Sequence, residues 1–136
     1  MTKRDAESAL ASRPLYQLKS EFFRTLGHPV RIRVLELLSV RDRAVGEMLR
    51  EVDIEAPNLS QHLAVLRRTG LVRTRKDGST VTYSLTSPQV ADLLAVARMI
   101  LTGVLSNQAE LLEEMLMPDE VAEPEQDQAD PGSERA

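Results

Sequence analysis

One segment, residues 56–76, constrains the fold of this chain more than any other. Its leucines Leu59, Leu63 and Leu66 recur at the three- and four-residue spacing of an amphipathic helix. Gly70 follows them, and a glycine just past the last apolar position of a helix is a common stop signal. The segment APNLSQHLAVLRRTGLVRTRK therefore predicts a helix that stops before Gly70.

Two strand patterns follow this helix directly. Residues 72–76 and residues 80–85 are both β-rich, and the second stretch alternates apolar and polar side chains. Asp77-Gly78 between them is a strong signal for a hairpin turn. The sequence therefore predicts a β-hairpin immediately after the helix.

The same segment concentrates positive charge. It carries five Arg or Lys and no Asp or Glu, in a chain whose formal net charge is −4. Amides on a helix face can pair with the major-groove edge of adenine, and the basic side chains that follow can neutralise phosphates. The outward face of the predicted helix comprises Pro57, Asn58, Gln61, Ala64, Val65 and Arg68. We interpret it as a DNA-recognition helix, and the alternative is a solvated helix face followed by a basic turn.

Helical spacing recurs on both sides of this segment. It predicts helices that begin at about Leu15, Pro29 and Val45, and a long final helix from Pro88 to about Leu116. The helix from Val45 and the recognition helix make a helix-turn-helix, and the hairpin after them is a wing. The predicted fold is therefore mainly α with a small β-hairpin, a winged helix-turn-helix.

The first and final helices of this set carry more apolar surface than a small domain can bury. We therefore predict a homodimer in which these two helices form the interface. The residues predicted at the interface are Leu15, Leu18, Phe22, Val90, Leu93, Leu94, Ala97, Ile100, Leu101 and Val104.

Composition limits the class of protein. With 136 residues, of which 42% are apolar, the chain is long enough for one domain with a modest core. It has no Cys, which excludes disulfides and thiolate metal ligation. We expect no membrane span, because no apolar run is long enough, and no secretory signal, because the amino terminus lacks an apolar stretch. The expected location is the cytoplasm.

Charge divides the chain into three parts. Residues 118–136 contain seven Asp or Glu, one Arg and almost no large apolar side chain, which predicts an acidic disordered tail. This tail is either an inert solubilising segment or a mimic of a nucleic-acid strand that competes for the basic residues. Residues 1–12 are predicted to form a disordered arm. Residues 13–117 are then the DNA-binding and dimerisation domain.

Three motifs stand in order along the chain: TLGHPVRIRVLELL at residues 25–38, LSQHLAVLRRTGLV at residues 59–72 and RKDGSTVTYSL at residues 75–85. Together they resemble the ArsR/SmtB family of prokaryotic winged-helix transcriptional regulators. The resemblance spans roughly residues 15–105. It implies a homodimer that binds an imperfect palindrome with one recognition helix in each half-site.

The resemblance also implies roles for individual residues. It places Asn58, Ser60 and Gln61 towards the groove, and it places His62 and Leu63 at inward packing positions. The full set of residues predicted to contact DNA is Pro57, Asn58, Ser60, Gln61, Arg67, Arg68, Arg73, Arg75, Lys76, Ser79 and Thr80.

The two metal sites known in this family have no counterpart in the sequence. Ala44 and Gly46 stand where the resemblance places a Cys-x-Cys pair. The positions that correspond approximately to the second site are Ser87, Gln89, Ile100 and Gly103. Neither set offers the thiolate or imidazole that a borderline divalent ion prefers, so we predict no cofactor.

Only two histidines, His28 and His62, offer imidazole. We interpret His28 as a residue that caps or packs the helix from Pro29, and His62 as a hydrogen-bonded packing residue. The alternative is a non-standard nickel or zinc site in a dimer, with oxygen ligands from Asp5, Glu21 or Glu110.

The sequence contains no pattern typical of an enzyme. Cys is absent, neither His has Ser and an acid at a recognisable motif spacing, and there is no phosphate-binding loop or HExxH. We therefore predict a DNA-binding regulator, most simply a repressor, whose partners are double-stranded DNA and an unidentified effector. The alternatives are a metal-responsive regulator with a non-standard site and a winged-helix module that binds an acidic protein surface or RNA.

Overall fold

The computed structural model describes residues 2–117, so the predicted acidic tail lies outside the described residues. Its contacts divide the chain into two units, of which the first ends at Ala95 and the second begins at Val96. The elements in chain order are α1 (Lys3–Ala11), α2 (Leu15–Leu26), α3 (Pro29–Val40), β1 (Arg43–Ala44), α4 (Val45–Glu51), α5 (Ala56–Arg68), β2 (Val72–Asp77), β3 (Thr80–Leu85) and α6 (Pro88–Leu116).

Helix α1 corrects the prediction of an arm without regular structure at residues 1–12. The hydroxyl of Thr2 accepts the N–H of Asp5 at 3.2 Å, and the Asp5 carboxylate accepts the N–H of Thr2 at 3.3 Å. These two bonds form a capping box, and the Ala, Glu, Lys and Arg that follow favour helix. We had judged the segment by its low apolar content, which does not exclude an exposed helix.

The next three helices agree with the sequence pattern. Helix α2 begins at Leu15 and ends at Leu26, just before Gly27, and α4 begins at Val45, as predicted. At the start of α3, Nδ1 of His28 accepts the N–H of Val30 at 3.1 Å. Pro29 occupies the first turn, where the missing N–H of proline removes no helical bond. His28 therefore caps α3, as predicted.

One aliphatic core holds the first unit together. Three of its members, Leu59, Leu63 and Leu66, are the periodic leucines of α5, and burial of a leucine contributes about 1.5–3 kcal/mol. The full set is Leu26, Val34, Leu35, Leu37, Leu38, Met48, Val52, Leu59, Leu63, Leu66, Leu71, Val72 and Val90. Because the leucine face of α5 is buried, the opposite face of that helix is fixed towards solvent.

The sheet has three antiparallel strands in the order β1-β3-β2. The sequence pattern missed β1, because a two-residue strand is too short to show alternation. In this strand Arg43 pairs with Tyr83 and Ala44 pairs with Thr82. The pairing ties the hairpin to the residues that lead into α4.

The hairpin turn lies one residue later than predicted. Asp77 pairs with Thr80 and belongs to β2, so the two-residue loop is Gly78-Ser79. Gly78 has φ 62°, and no described residue other than glycine has a positive φ. A two-residue loop with positive φ only at its first position is the arrangement of a type II′ turn, which favours glycine there.

Helix α6 corrects the expectation that no segment could span a membrane. Among residues 2–117 it is the one helix long enough and apolar enough to do so by length and composition. Its apolar runs are short, because Asp92, Arg98 and the pair Thr102-Gly103 interrupt them, but the helix remains apolar on average. An apolar helix surface of this kind also suits a helical interface between protein subunits.

Candidate nucleic-acid interface

Helix α5 presents the residues that we predicted to read DNA. Its first turn contains Pro57, and its side chains Asn58, Ser60 and Gln61 are all exposed. They project from the face opposite the buried leucines. One residue of the predicted outward face differs, because Val65 is half-buried.

A Schellman motif ends α5 and directs the chain into β2. The N–H of Leu71 donates to the carbonyl of Leu66 at 3.0 Å, and the N–H of Gly70 donates to the carbonyl of Arg67 at 3.1 Å. Gly70 has φ 80°, a conformation that glycine adopts without steric cost. Leu71 is buried, so the helix end is anchored in the core beside the exposed Arg67 and Arg68.

Strand β2 alternates between the core and solvent. Val72 is buried and Thr74 is half-buried, whereas Arg73 and Arg75 are exposed on the other face. Lys76, Ser79 and Thr80, near the tip of the hairpin, are also exposed. We call β2, β3 and their loop, residues 72–85, the wing. All eleven residues predicted to contact DNA are thus exposed on α5 or on the wing.

The basic residues of this surface differ in their ion pairs. Arg75 Nε lies 3.2 Å from Asp77 Oδ2, and Arg75 Nη1 lies 3.8 Å from Asp42 Oδ2. Within the part of the chain that the structure describes, the other four basic side chains form no ion pair; they are Arg67, Arg68, Arg73 and Lys76. Their charges face solvent uncompensated, whereas the charge of Arg75 is partly neutralised.

A shallow groove of about 480 Å³ lies between α5 and β3. It is lined by Ser60, Ala64, Arg67, Arg68 and Tyr83. Two guanidinium groups and two hydroxyl groups around a groove can bind a phosphate oxygen. The sequence pattern did not predict a role for Tyr83, although the alternation of β3 gave a signal, because Tyr83 occupies the face of β3 shared by Val81 and Leu85.

The residues at the positions of the family's metal sites have structural roles here. The Ala44 N–H donates to Oε1 of Glu47 at 3.0 Å, and Arg41 pairs with Glu47 at 2.8 Å. These two contacts hold the pKa of Glu47 below its ordinary value, the bond from Ala44 contributing most. Ser87 accepts the N–H of Gln89 at the start of α6. Residues 2–117 contain no group of three His, Cys, Asp or Glu side chains placed to hold a metal ion.

The two histidines lie against each other, with ring centroids 4.2 Å apart. Nδ1 of His62 accepts Nε–H of Arg31 at 3.2 Å. Nδ1 of His28 is occupied as the cap of α3. A metal on Nε2 of a neutral imidazole requires the proton on Nδ1, which both of these hydrogen bonds forbid. The sequence pattern did not single out Arg31.

The predicted dimer residues differ in burial. Val90 is buried in the core of its own protomer, which corrects its assignment to the dimer interface, because a broad apolar stripe does not reveal which side faces that core. Phe22, Leu93 and Leu94 are partly buried and pack against the same core, and their place at the interface stays a prediction. Leu18 is half-buried. The remaining predicted residues are exposed: Leu15, Ala97, Ile100, Leu101 and Val104.

Exposed apolar residues that the prediction missed extend the same surfaces. Tyr16 and Phe23 are exposed on α2. On α6 the exposed apolar side chains continue through Leu105 to Leu111 and Leu112. Tyr16 and Phe23, like Leu105 and Leu112, are seven residues apart, and this helical repeat was a signal in the sequence.

Known proteins share this chain's sequence and fold. A family model described as a helix-turn-helix domain matches residues 26–75. The HTH-type transcriptional regulator Rv0081 of Mycobacterium tuberculosis is 55% identical over 107 residues, which cover 78% of this chain and 94% of that protein. The crystal structure of Rv0081 is similar to this one with a TM-score of 0.68 and 57% identity, covering 72% of this chain and 99% of that chain.

Two further solved structures are informative. The transcriptional repressor BigR from Xylella fastidiosa is 33% identical, with a TM-score of 0.59 and coverage of 74% of this chain and 96% of that chain. Mb0332 from Mycobacterium bovis, a possible ArsR-family regulator solved as a homodimeric winged helix-turn-helix DNA-binding domain, has a TM-score of 0.62. At 23% identity, over 79% of this chain and 93% of that chain, it shows the fold alone. The chain therefore belongs to the ArsR/SmtB family of winged helix-turn-helix transcriptional regulators.

Proposed function

We propose that this chain is a repressor that binds an imperfect palindrome as a homodimer, with α5 of each protomer in the major groove of one half-site. The observation that carries the proposal is the exposure of every predicted DNA-contact residue on α5 or the wing, opposite a buried leucine face. The 33% identity to BigR, which is described as a transcriptional repressor, supports a role in repression.

Base reading is assigned to the amides of α5. Asn58 and Gln61 are three residues apart, so they lie on the same face of the helix, and an amide can form two hydrogen bonds with adenine. Pro57 and Ser60 lie beside these amides and position the helix against the DNA backbone. The basic side chains of α5 and the wing, with the hydroxyls of Ser79 and Thr80, contact phosphates.

The homodimer is assigned to the exposed apolar side chains of α2 and α6. Leu15 and Ile100 are each 63% exposed, and Val104 is 43% exposed. A second copy of the chain would remove these side chains from water, and apolar burial is the dominant favourable term in most protein association. Mb0332 was solved as a homodimer, which supports the same assembly here.

The trigger for release is not assigned to the two metal positions of the family. Ala44 and Gly46 carry no ligand atoms in their side chains, and Ser87 caps α6. The protein acts in the cytoplasm, contacts no membrane and is not an enzyme. Its effector is another small molecule or a partner protein.

The proposal is tested by fluorescence anisotropy on the duplex upstream of the protein's own coding region. Asn58→Ala and Gln61→Ala are each expected to relax base preference by roughly 1–3 kcal/mol per base pair. Gln17→Ala is the matched control, because Gln17 is an exposed amide on α2. Binding is measured with metal removed and then with nickel or zinc added, and a reporter gene distinguishes repression from activation.

Each result decides between named alternatives. If Gln61→Ala lowers the affinity for specific and random duplexes equally, Gln61 does not read a base. A change in affinity on addition of metal would show a non-standard metal site. Absence of any duplex preference would favour a module that binds proteins or RNA.

A further inference from the structure

Two neighbouring side chains, His28 and Arg31, form a cluster with the distant His62 at the inner side of the recognition helix. His28 precedes α3, Arg31 lies in the first turn of α3, and His62 lies in the middle of α5. The two imidazole rings are 4.2 Å apart and tilted by 45°. All three side chains are half-buried. We call them the histidine cluster.

Hydrogen bonds fix the protonation of both rings. Nδ1 of His28 accepts the N–H of Val30 at 3.1 Å, and Nδ1 of His62 accepts Nε–H of Arg31 at 3.2 Å. A nitrogen that accepts a hydrogen bond carries no proton. Nδ1 of each ring is therefore an acceptor in this geometry, which places the ring proton on Nε2.

Arg31 connects three helices through this cluster. Its Nη1 donates to the carbonyl oxygen of Thr25 at the end of α2, at 3.0 Å, while its Nε donates to His62 on α5. The buried leucines of α5 determine which face of the helix points inward, and a directional hydrogen bond restrains the rotation of the helix about its axis more narrowly. His62 directly follows Gln61, so a rotation at His62 also displaces the amide assigned to base reading.

We propose that the histidine cluster is a positioning site, in which neutral His62 and Arg31 hold α5 in its DNA-binding orientation and protonation of His62 releases DNA. The inference rests on the proposed function, because it assumes that α5 reads the operator. No residue of the cluster needs to touch DNA.

Protonation would reverse the chemistry of both contacts. An imidazolium donates from both nitrogens, so Nδ1 of His62 would face the donor group of Arg31, and Nδ1 of His28 would face the N–H of Val30. Protonation of His62 would also place a new positive charge beside the guanidinium of Arg31. Loss of one hydrogen bond of ordinary net strength corresponds to roughly a three- to tenfold change in an equilibrium.

The surroundings of His62 oppose its protonation. Burial lowers the pKa of His62 below its ordinary value of 6.5, and the positive charges of His28 and Arg31 lower it further. Both charged groups lie in the first turn of α3 or directly before it, and α3 packs against α5. Strand β2, which also packs against α5, contributes no charge to the pKa shift of His62. Because the pKa of His62 is lowered in the folded state, its contacts are intact above the ordinary pKa of 6.5 and are lost only as the pH falls through the lowered pKa.

The test compares the wild-type protein with the double variant His28→Asn, His62→Gln. Asn is a good helix cap, and the Gln carbonyl accepts from Arg31, but neither side chain titrates. We expect wild-type affinity for the operator duplex to fall roughly three- to tenfold from about pH 7.5 to about pH 5.5, and the variant to bind at both pH values with little change. An equal loss of DNA affinity between the two pH values in both proteins would overturn the proposal. Circular dichroism at each pH confirms that both are folded.

Two further readouts separate this inference from the proposed function. Nuclear magnetic resonance of the imidazole nitrogens is expected to show the proton on Nε2 of both rings near neutral pH. A proton on Nδ1 of either ring would overturn the inference. If the wild-type protein binds its operator with no pH dependence, the inference fails and the proposed function stands; if it prefers no duplex at about pH 7.5, the proposed function itself fails.

Discussion

Arg73 and Arg75 provide a matched pair for testing how the wing contacts DNA. They lie two residues apart on the same exposed face of β2. Arg75 is paired with Asp77 at 3.2 Å and with Asp42 at 3.8 Å, whereas Arg73 forms no ion pair with any residue in the described range 2–117. We therefore expect Arg73→Ala to remove more of the salt dependence of DNA binding than Arg75→Ala.

The expected magnitude follows from counterion release. Each phosphate contact contributes about −0.9 to the slope of log K against log salt, so loss of Arg73 from both protomers flattens the slope by about 1.8. Over a fourfold rise in salt, a slope change of about 1.8 corresponds to roughly a 12-fold change in relative affinity. Arg75 already has carboxylate partners, so we expect its loss to flatten the slope by less than about half as much.

The assay is fluorescence anisotropy on the operator duplex and on a random duplex, from about 50 to about 200 mM salt. The control is Asp77→Asn, which removes the 3.2 Å partner of Arg75. In the wild-type protein, Asp77→Asn should steepen the slope of log K against log salt. In the Arg75→Ala variant the same change should steepen this slope by less. Equal flattening by Arg73→Ala and Arg75→Ala would refute the role of the ion pairs. No flattening by either would remove the wing from the DNA interface.

Two further predictions concern assembly and stability. Ile100→Glu combined with Val104→Glu should convert the dimer to a monomer in analytical ultracentrifugation, because it places charges on an exposed apolar stripe. Ser106→Glu, on the opposite face of α6, is the control and should leave the protein a dimer. If the variant with Glu at positions 100 and 104 keeps the mass of a dimer, the apolar stripe of α6 is excluded from the interface. Leu63→Ala should lower the free energy of unfolding in urea by about 2–5 kcal/mol, because Leu63 is 1% exposed. Leu116→Ala, at an exposed helix end, is the control and should lower the free energy of unfolding by less than about 1 kcal/mol. Similar decreases in the two variants would contradict the placement of Leu63 in the core.

Local patterns predicted most of the fold. The bounds of α4 and β3 agree with the sequence pattern, and Leu59, Leu63 and Leu66 are buried as their spacing indicates. These predictions succeeded because periodicity and turn chemistry act over a few residues. Helix α1 was missed because its stability comes from a capping box and helix propensity rather than from an apolar face.

Contacts between distant residues could not be predicted in this way. The pairing of Arg43 with Tyr83 creates β1, and the core contacts of Val90 remove it from the predicted dimer surface. A two-residue strand has no local pattern, and the apolar stripe that contains Val90 suits a core as well as an interface. Only the tertiary structure shows which apolar side chains of the stripe face the core.

The sequence by itself determined a helix followed by a basic hairpin, because helix and strand periods and the local charge are properties of short segments. Only the tertiary structure decided which polar groups are free to act. It pairs Arg31 with His62, 31 residues away, and it neutralises Arg75 with Asp42. Hydrogen bonds and ion pairs form between groups that folding brings together, so no spacing in the chain predicts them.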